Sequence, residues 1–345
     1  MAKVMVTGGS GFLGSLMVAK LLEDGHDVVS LDLLPAEASH PRLEAVVGDI
    51  RDRAGLDALF ARTRPEVVFH LAAQLAHGHL NEDDVWTSNA VGTAVLADAM
   101  AAAGVRNVVY TSSNCLWGRG FDAPVTEDEP PAPVELYGKS KWEGEKALLD
   151  HPAQLHAAAI RCPTIIDEGR LGLLAILFEF IADGRRVWTV GGGRNRYQFI
   201  YAADLIDAML RAWRRDTRGV FGIGSDDVQS LRDNFQHVID QSGSRSRIGV
   251  LPKAPTLAAM RLAHALRISP LGPYHYRMIA QSFMFDTSRI KAELDWRPTL
   301  TNGDMLLKAY RYYHANRDEI AARKDVSAHR QSAKMGVIRV LKWVS

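Results

Sequence analysis

The sequence predicts an α/β protein built on a doubly wound parallel sheet, with a smaller mixed α/β part toward the C-terminus. Three observations carry this. Short apolar runs alternate with helical patterns through the first half of the chain, which is the pattern of βαβ units covered on both faces. The first run, Lys3 to Thr7, passes directly into Gly8-x-x-Gly11-x-x-Gly14, a tight turn opening a helix. The second run, Asp27 to Leu31, ends at Asp32, eighteen residues beyond Gly14. Crossovers between parallel strands are right-handed, so a ligand belongs at the carboxyl ends of the strands.

Each element follows from its residues. The glycine spacing lets the backbone approach a pyrophosphate, where helix N-terminal N–H groups and the helix dipole favour negative charge. Gly14 lets that helix lie close against the strand, and Leu13, Leu16, Met17 and Leu21 give it an apolar face. A carboxylate at Asp32 accepts hydrogen bonds from an adenosine ribose and repels a 2′-phosphate, so NAD is expected over NADP. Further strands read as Leu43–Val47, Glu66–His70, Val105–Thr111 and Leu155–Ile160, with helices near 52–62, 84–103 and 137–150. Asp49 and Ile50 follow the third strand, where a carboxylate and an apolar neighbour suit the edge and face of an adenine. Leu71, Ala72 and Ala73 follow the fourth, where small side chains let the backbone crowd a cofactor.

The second half is less regular. Helical patterns near 171–184, 203–215, 254–266 and 301–314 are interrupted by short strands, by Gly191-Gly192-Gly193 and by Pro252, Pro255, Pro270 and Pro273. The expected organisation is a dinucleotide-binding domain over residues 1–160, with 197–224 returning to it. A substrate-binding part takes 161–196 and 225–322, and a basic tail takes 323–345.

Composition narrows the function classes. At 345 residues and a formal charge of +1, nothing points to nucleic acid as partner. Two cysteines, Cys115 and Cys162, make neither a disulfide framework nor a metal cluster, which suits a reducing cytoplasm. The N-terminus already reads as the first strand, so no signal peptide is expected, and no apolar run has the length of a membrane span.

The chemistry lies after the fifth strand, which ends in Tyr110-Thr111-Ser112-Ser113. The next helix opens with Tyr137-Gly138-Lys139-Ser140-Lys141. Residues four apart share a helix face, so Tyr137 and Lys141 point together into the cleft. A phenol ordinarily titrates near pH ~10, and a neighbouring ammonium and a nicotinamide cation lower that value. Tyr137 can then take the proton of a substrate hydroxyl while the carbon beneath gives up hydride. Ser113 would hydrogen-bond the same oxygen, and Lys141 would also hold the nicotinamide ribose.

With these residues in view, the chain resembles the extended short-chain dehydrogenase/reductases, the NAD-dependent epimerase/dehydratase family, over nearly its whole length to about residue 315. The motifs are Thr7-Gly8-x-x-Gly11-x-x-Gly14, Asp32, Gly48-Asp49, Leu71-Ala72-Ala73, Asn89, Ser112-Ser113 and Tyr137-x-x-x-Lys141. They continue with Arg161-Cys162-Pro163-Thr164, Phe199-Ile200-Tyr201-Ala202-Ala203-Asp204 and Leu294-Asp295-Trp296-Arg297-Pro298. The resemblance implies a Rossmann domain, bound NAD and a catalytic set of Ser113, Tyr137 and Lys141. It further implies cofactor contacts at Gly8, Gly11, Phe12, Leu13, Asp32, Asp49, Ile50, Leu71, Ala72, Ala73, Asn89, Ser112 and Pro163, besides Tyr137 and Lys141. Substrate contacts are expected at Asn114, Arg194 and Arg196.

Departures from the family pattern narrow the chemistry. The 4,6-dehydratases carry an Asp-Glu pair where this chain has Asn114 and Cys115, which cannot serve as that acid and base. Members binding nucleotide sugars often have an Asn near Thr164–Ile165 and an arginine close to Tyr197. Both are missing, although Arg194 and Arg196 lie nearby and could bind a diphosphate. The expected function is therefore an NAD-dependent epimerase acting on a secondary alcohol carbon of a nucleotide-linked or lipid-linked sugar, through a transient ketone. The alternatives are a 3-beta-hydroxysteroid-type dehydrogenase and a non-catalytic dinucleotide sensor or scaffold. A homodimer is expected.

The tail has its own character. Arg323, Lys324, Arg330, Lys334, Arg339 and Lys342 face a single acid, Asp325, and Val337, Ile338, Leu341 and Val344 can share one helical face. That composition suits a helix lying in an anionic membrane interface, which would place the enzyme peripherally at the inner face of the membrane. A terminal helix docked on protein is the other reading.

Overall fold

The computed structural model describes residues 1–75, 82–170, 174–266 and 273–322. Eleven strands occur among them: β1 (Lys3–Thr7), β2 (Asp27–Asp32), β3 (Leu43–Val47), β4 (Val67–His70), β5 (Asn107–Ser113), β6 (His156–Cys162), β7 (Thr164–Ile166), β8 (Val187–Val190), β9 (Phe199–Tyr201), β10 (Gly219–Gly222) and β11 (Ile248–Leu251). Seven form one parallel sheet in the order β10-β6-β5-β4-β1-β2-β3. The chain runs outward from β1 to β3, then returns to the other side of β1 as β4. The crevice at this reversal, between the ends of β1 and β4, is where a doubly wound sheet takes its ligand.

Residue pattern decides which face each strand covers. Val4 and Val6 point to one side of β1 and Met5 to the other, as strand alternation requires. Val4 and Val6 meet Phe12, Met17 and Leu21 of the helix Phe12–Glu23 and Leu205 and Met209 of the helix Ala202–Arg214. Met5 meets Leu56, Phe60, Leu96 and Met100 on the opposite face, where helices Arg53–Thr63 and Gly92–Ala102 lie. Strand β4, Val-Val-Phe-His, is buried throughout, as befits a central parallel strand. A third cluster, with Trp117, Phe178, Phe199, Phe283 and Tyr310, forms the core of the C-terminal part.

The second half returns to the sheet. The helix Ala202–Arg214 packs on it and β10 adds its seventh strand beside β6. Asp204 and Asn302 fasten the remainder. Asp204 accepts from the backbone and hydroxyl of Thr299 at 2.8 and 2.7 Å, and Trp296 donates to the Asp204 carbonyl at 2.9 Å. Asn302 accepts from Phe199 N and Ser225 Oγ and donates to the Tyr197 carbonyl.

The boundaries expected from sequence shift in instructive ways. Strands β5 and β6 extend two residues beyond their expected ends, Thr111 and Ile160, because Ser112 and Ser113 stay in register with Arg161 and Cys162. The helix expected over 84–103 is continuous but carries a π turn at Thr87–Val91. The pattern at 171–184 is a helix over Leu174–Ala182, its expected first residues lying outside those described. The basic tail, 323–345, also lies outside the described residues. Among the described residues no helix is long and apolar enough to cross a membrane.

Candidate active site

The nucleotide end is built from absent side chains. Gly8 has φ +75°, the left-handed region, and a Cβ there would lie 2.6 Å from the Ala72 nitrogen. A Cβ on Gly14 would lie 1.9 Å from the Gly8 carbonyl oxygen. Any larger residue at either position would push the loop off the ends of β1 and β4. Gly11 is the residue before the helix and no side chain caps its first turn. Phe12 and Leu13 bury their side chains in the core, so they offer only backbone N–H groups to an anion. Arg170 adds a cation here, its guanidinium 5.3 Å from the Phe12 ring. Its spacing from any motif hid it from the sequence.

Asp32 stands where the sequence places it. One carboxylate oxygen accepts from Ser10 N and the other from Leu34 N, each at 3.0 Å. Each oxygen keeps a lone pair for a ribose hydroxyl. Asp49 is ion-paired with Arg51 at 2.6 Å, and that guanidinium holds its carboxyl below the usual range despite partial burial. Ile50 is buried against Gly92, where a Cβ would lie 2.9 Å from its Cγ1. A side-chain-free turn, an uncapped helix start and a carboxylate at the end of β2 together fit a dinucleotide.

The chemical end lies where β5 meets the helix Leu136–Leu149. A Cβ on Gly138 would sit 2.2 Å from the Cys115 carbonyl, so the first turn of that helix rests on the backbone just beyond Ser113. Glycine there lets the helix turn that carries Tyr137 close on the backbone that follows Ser113. Ser113 Oγ accepts from Cys115 N at 3.1 Å, which leaves its own hydrogen to donate to a substrate oxygen. Tyr137 is half-buried and Lys141 buried. Burial pushes the Lys141 ammonium down to about 7, against the opposing influence of Cys162 and Glu145.

Three residues expected at the cofactor or substrate make hydrogen bonds within the protein. Asn89, in the π turn, accepts from Gln74 N at 2.7 Å and donates to Gln74 O and to Ser140 Oγ at 2.9 and 3.0 Å. It ties the chain after β4 to the Tyr137/Lys141 helix. Ser112 faces the side of β5 opposite Ser113 and donates to Glu145 at 2.5 Å. Glu145 is fully buried and paired with Arg161 at 2.6 Å, a pair flanked by Trp117 and Trp142. Arg196 is exposed and donates to the Val228 carbonyl at 2.7 Å. Alternation along this extended segment turns Arg196 outward and Tyr197 inward. Arg194 is exposed, after the turn Gly191–Gly193, and Pro163 is buried between β6 and β7.

Asn114 does border a cleft, lined also by Trp117, Arg119, Tyr197, Gln281 and Phe283. Its amide donates to the Tyr197 hydroxyl at 2.6 Å. Sequence reasoning missed Tyr197 as a site residue because only the parity of its strand reveals it. Among the described residues no cluster suited to a metal ion occurs.

Comparisons with known proteins agree with this geometry. The NAD dependent epimerase/dehydratase family matches residues 4–224. A UDP-glucose 4-epimerase of Mycolicibacterium smegmatis is 32% identical over 331 residues, covering 90% of this chain and 98% of the relative. An uncharacterised protein of Sinorhizobium fredii is 35% identical over 342 residues, covering 98% and 85%. Among solved structures, WbmG of Bordetella bronchiseptica in complex with NAD superposes with a TM-score of 0.74 at 21% identity, over 91% of this chain and 94% of that one. That likeness shows the fold. The family match spans most of the chain, and the Mycolicibacterium relative is aligned over nearly its whole length. This protein is therefore an enzyme of the NAD-dependent epimerase/dehydratase family, with NAD as its cofactor.

Proposed function

We propose that the enzyme epimerises a secondary alcohol carbon of a nucleotide-linked sugar. The observation that carries this reading is the close rest of the Tyr137 helix, through Gly138, on the Cys115 carbonyl just beyond Ser113, with buried Lys141 one turn along. NAD, when bound, takes a hydride from the substrate carbon and can return it. Gly8, Gly11 and the backbone of Phe12 and Leu13 would hold its pyrophosphate, Asp32 its adenosine ribose and Lys141 its nicotinamide ribose. Tyr137 removes the hydroxyl proton and Ser113 donates to the same oxygen, fixing it as the carbon becomes planar. Exchange of the ketone's face before the hydride returns inverts the centre. The family's dehydration is not proposed, because an Asn114 amide and a buried Cys115 thiol supply neither of the carboxyl groups that reaction uses.

The Mycolicibacterium relative, a UDP-glucose 4-epimerase, supports a nucleotide sugar, and incubation with UDP-glucose and UDP-galactose is the direct test. Interconversion without accumulation of free NADH is the expected result; NADH accumulating in step with a ketone product would replace epimerase by dehydrogenase. The aromatic wall of Trp117, Tyr197 and Phe283 favours a second reading, a hydroxysteroid-type dehydrogenase or a lipid-linked sugar substrate. We further propose a cytoplasmic homodimer, supported by the exposed apolar side chains Trp86 and Val91 on one helix, and a tail that touches anionic membrane.

A further inference from the structure

Behind Lys141 stands a column of rings that no motif accounts for. The Lys141 ammonium lies 4.1 Å from the centroid of the Tyr110 ring. On the sheet, Tyr110 stacks with the imidazole of His70, with centroids 5.2 Å apart and planes 24° from parallel. His70 is fully buried and held at both ring nitrogens, by Thr7 Oγ1 at 2.6 Å and Thr93 Oγ1 at 2.9 Å. Thr93 in turn donates to the Asn89 carbonyl at 2.6 Å. The Tyr110 hydroxyl donates to the Lys141 carbonyl at 3.3 Å. Thr7 is the residue before Gly8, so the column begins at the dinucleotide turn and ends at the lysine.

We propose that Tyr110, backed by His70, is a positioning residue for the cofactor, its ring face holding the Lys141 ammonium charged and aimed at the nicotinamide ribose. A carboxylate in direct contact would hold the ammonium more strongly, yet it would compete with the ribose hydroxyls for the same N–H donors. A ring face attracts the cation without accepting those bonds along their own directions. The nearest carboxylate on this helix, Glu145, is already bound by Arg161 and Ser112. Cys162 and Glu145 oppose the loss of the Lys141 charge without outweighing its burial. Burial keeps the Cys162 thiol protonated, at about 11, and keeps His70 neutral, at about 3, with Lys141 opposing its protonation further. Tyr137, on the same helix, is the group the ammonium serves. Burial therefore draws the proton from Lys141 near neutrality even against those influences, and the ring beside the ammonium adds to what opposes this.

The inference rests on the reading of Lys141 as a cofactor-holding residue, and the test separates the two. NAD affinity of the full-length protein is measured by calorimetric titration from acid to alkaline pH for the wild type, Tyr110→Phe, Tyr110→Met and Lys141→Met. In the wild type, affinity should fall as pH rises through the Lys141 transition. Tyr110→Phe keeps the ring, so its midpoint should match the wild type. Tyr110→Met fills similar space without a ring and should move the midpoint down by about half to one pH unit. Its affinity should rejoin the wild type at acid pH, which a merely loosened core would not allow. A Tyr110→Phe midpoint displaced down from the wild type by about half a pH unit or more overturns the proposal, and this arm stands even where Tyr110→Met fails to fold. Equal losses at every pH overturn it too. Unchanged affinity in Lys141→Met overturns the reading of the lysine itself.

Discussion

Asn114, the residue after Ser113, donates its amide hydrogen to the phenolic oxygen of Tyr197 at 2.6 Å, joining positions 83 apart in sequence. The bond ties the C-terminal part to the end of the strand that carries the candidate catalytic serine. Tyr197→Phe leaves a buried amide without this acceptor and should lower stability by about 1–3 kcal/mol in denaturant titrations. Asn114→Ala together with Tyr197→Phe should cost less than the two single losses added, because neither partner is then orphaned. Strict additivity would show the bond to be energetically idle.

Asp32 is the residue proposed to set cofactor choice. Its carboxylate also accepts from Ser10 N, so it orders the glycine turn. Asp32→Ala should reduce NAD affinity and narrow the preference over NADP, read as the ratio of the two dissociation constants. An unchanged ratio would move the discrimination to another residue.

Tyr137→Phe removes the proton acceptor while leaving the ring. Turnover of the substrate identified should fall by about two to four orders of magnitude, with NAD affinity nearly intact. Wild-type turnover in this variant would take Tyr137 out of the mechanism.

Lys141 should make the protein without NAD less stable than an apolar residue would. Its folded value of about 7 lies below the ordinary lysine value of 10.5, so the unfolded chain binds more protons between those values. On this account stability rises with pH from about 7 to 10.5 and is lowest below 7. Lys141→Met should raise the melting temperature most at acid pH and least at alkaline pH, while weakening NAD binding. A uniform gain at all pH values would point to packing instead.

The tail prediction concerns residues 323–345. Full-length protein should sediment with anionic liposomes and be released by salt, since screening acts within about 10 Å at 0.1 M. A chain ending near Asp325 should stay in solution. Equal, negligible pelleting of both would leave a helix docked on protein.

What the sequence determined by itself was local. A strand, a glycine turn and a helix start lie within Lys3 to Gly14, so spacing alone places a phosphate there, and Tyr137 and Lys141 need only one helical turn to meet. Asp32 was legible because an apolar strand announces where it ends. What only the tertiary structure decided involves partners distant along the chain. The parallel register levels Thr7, His70 and Tyr110 across three strands, which stacks two rings beneath a lysine 31 residues beyond the second. The parity of an extended segment after the turn Gly191–Gly193 turned Tyr197 inward onto Asn114 and Arg196 outward onto the Val228 carbonyl. The π turn set Asn89 against Gln74 and Ser140, partners that the spacing of the sequence does not announce. Periodicity reports which face of an element is buried. It carries no information on which remote atom meets that face, and that is set only when the sheet is assembled.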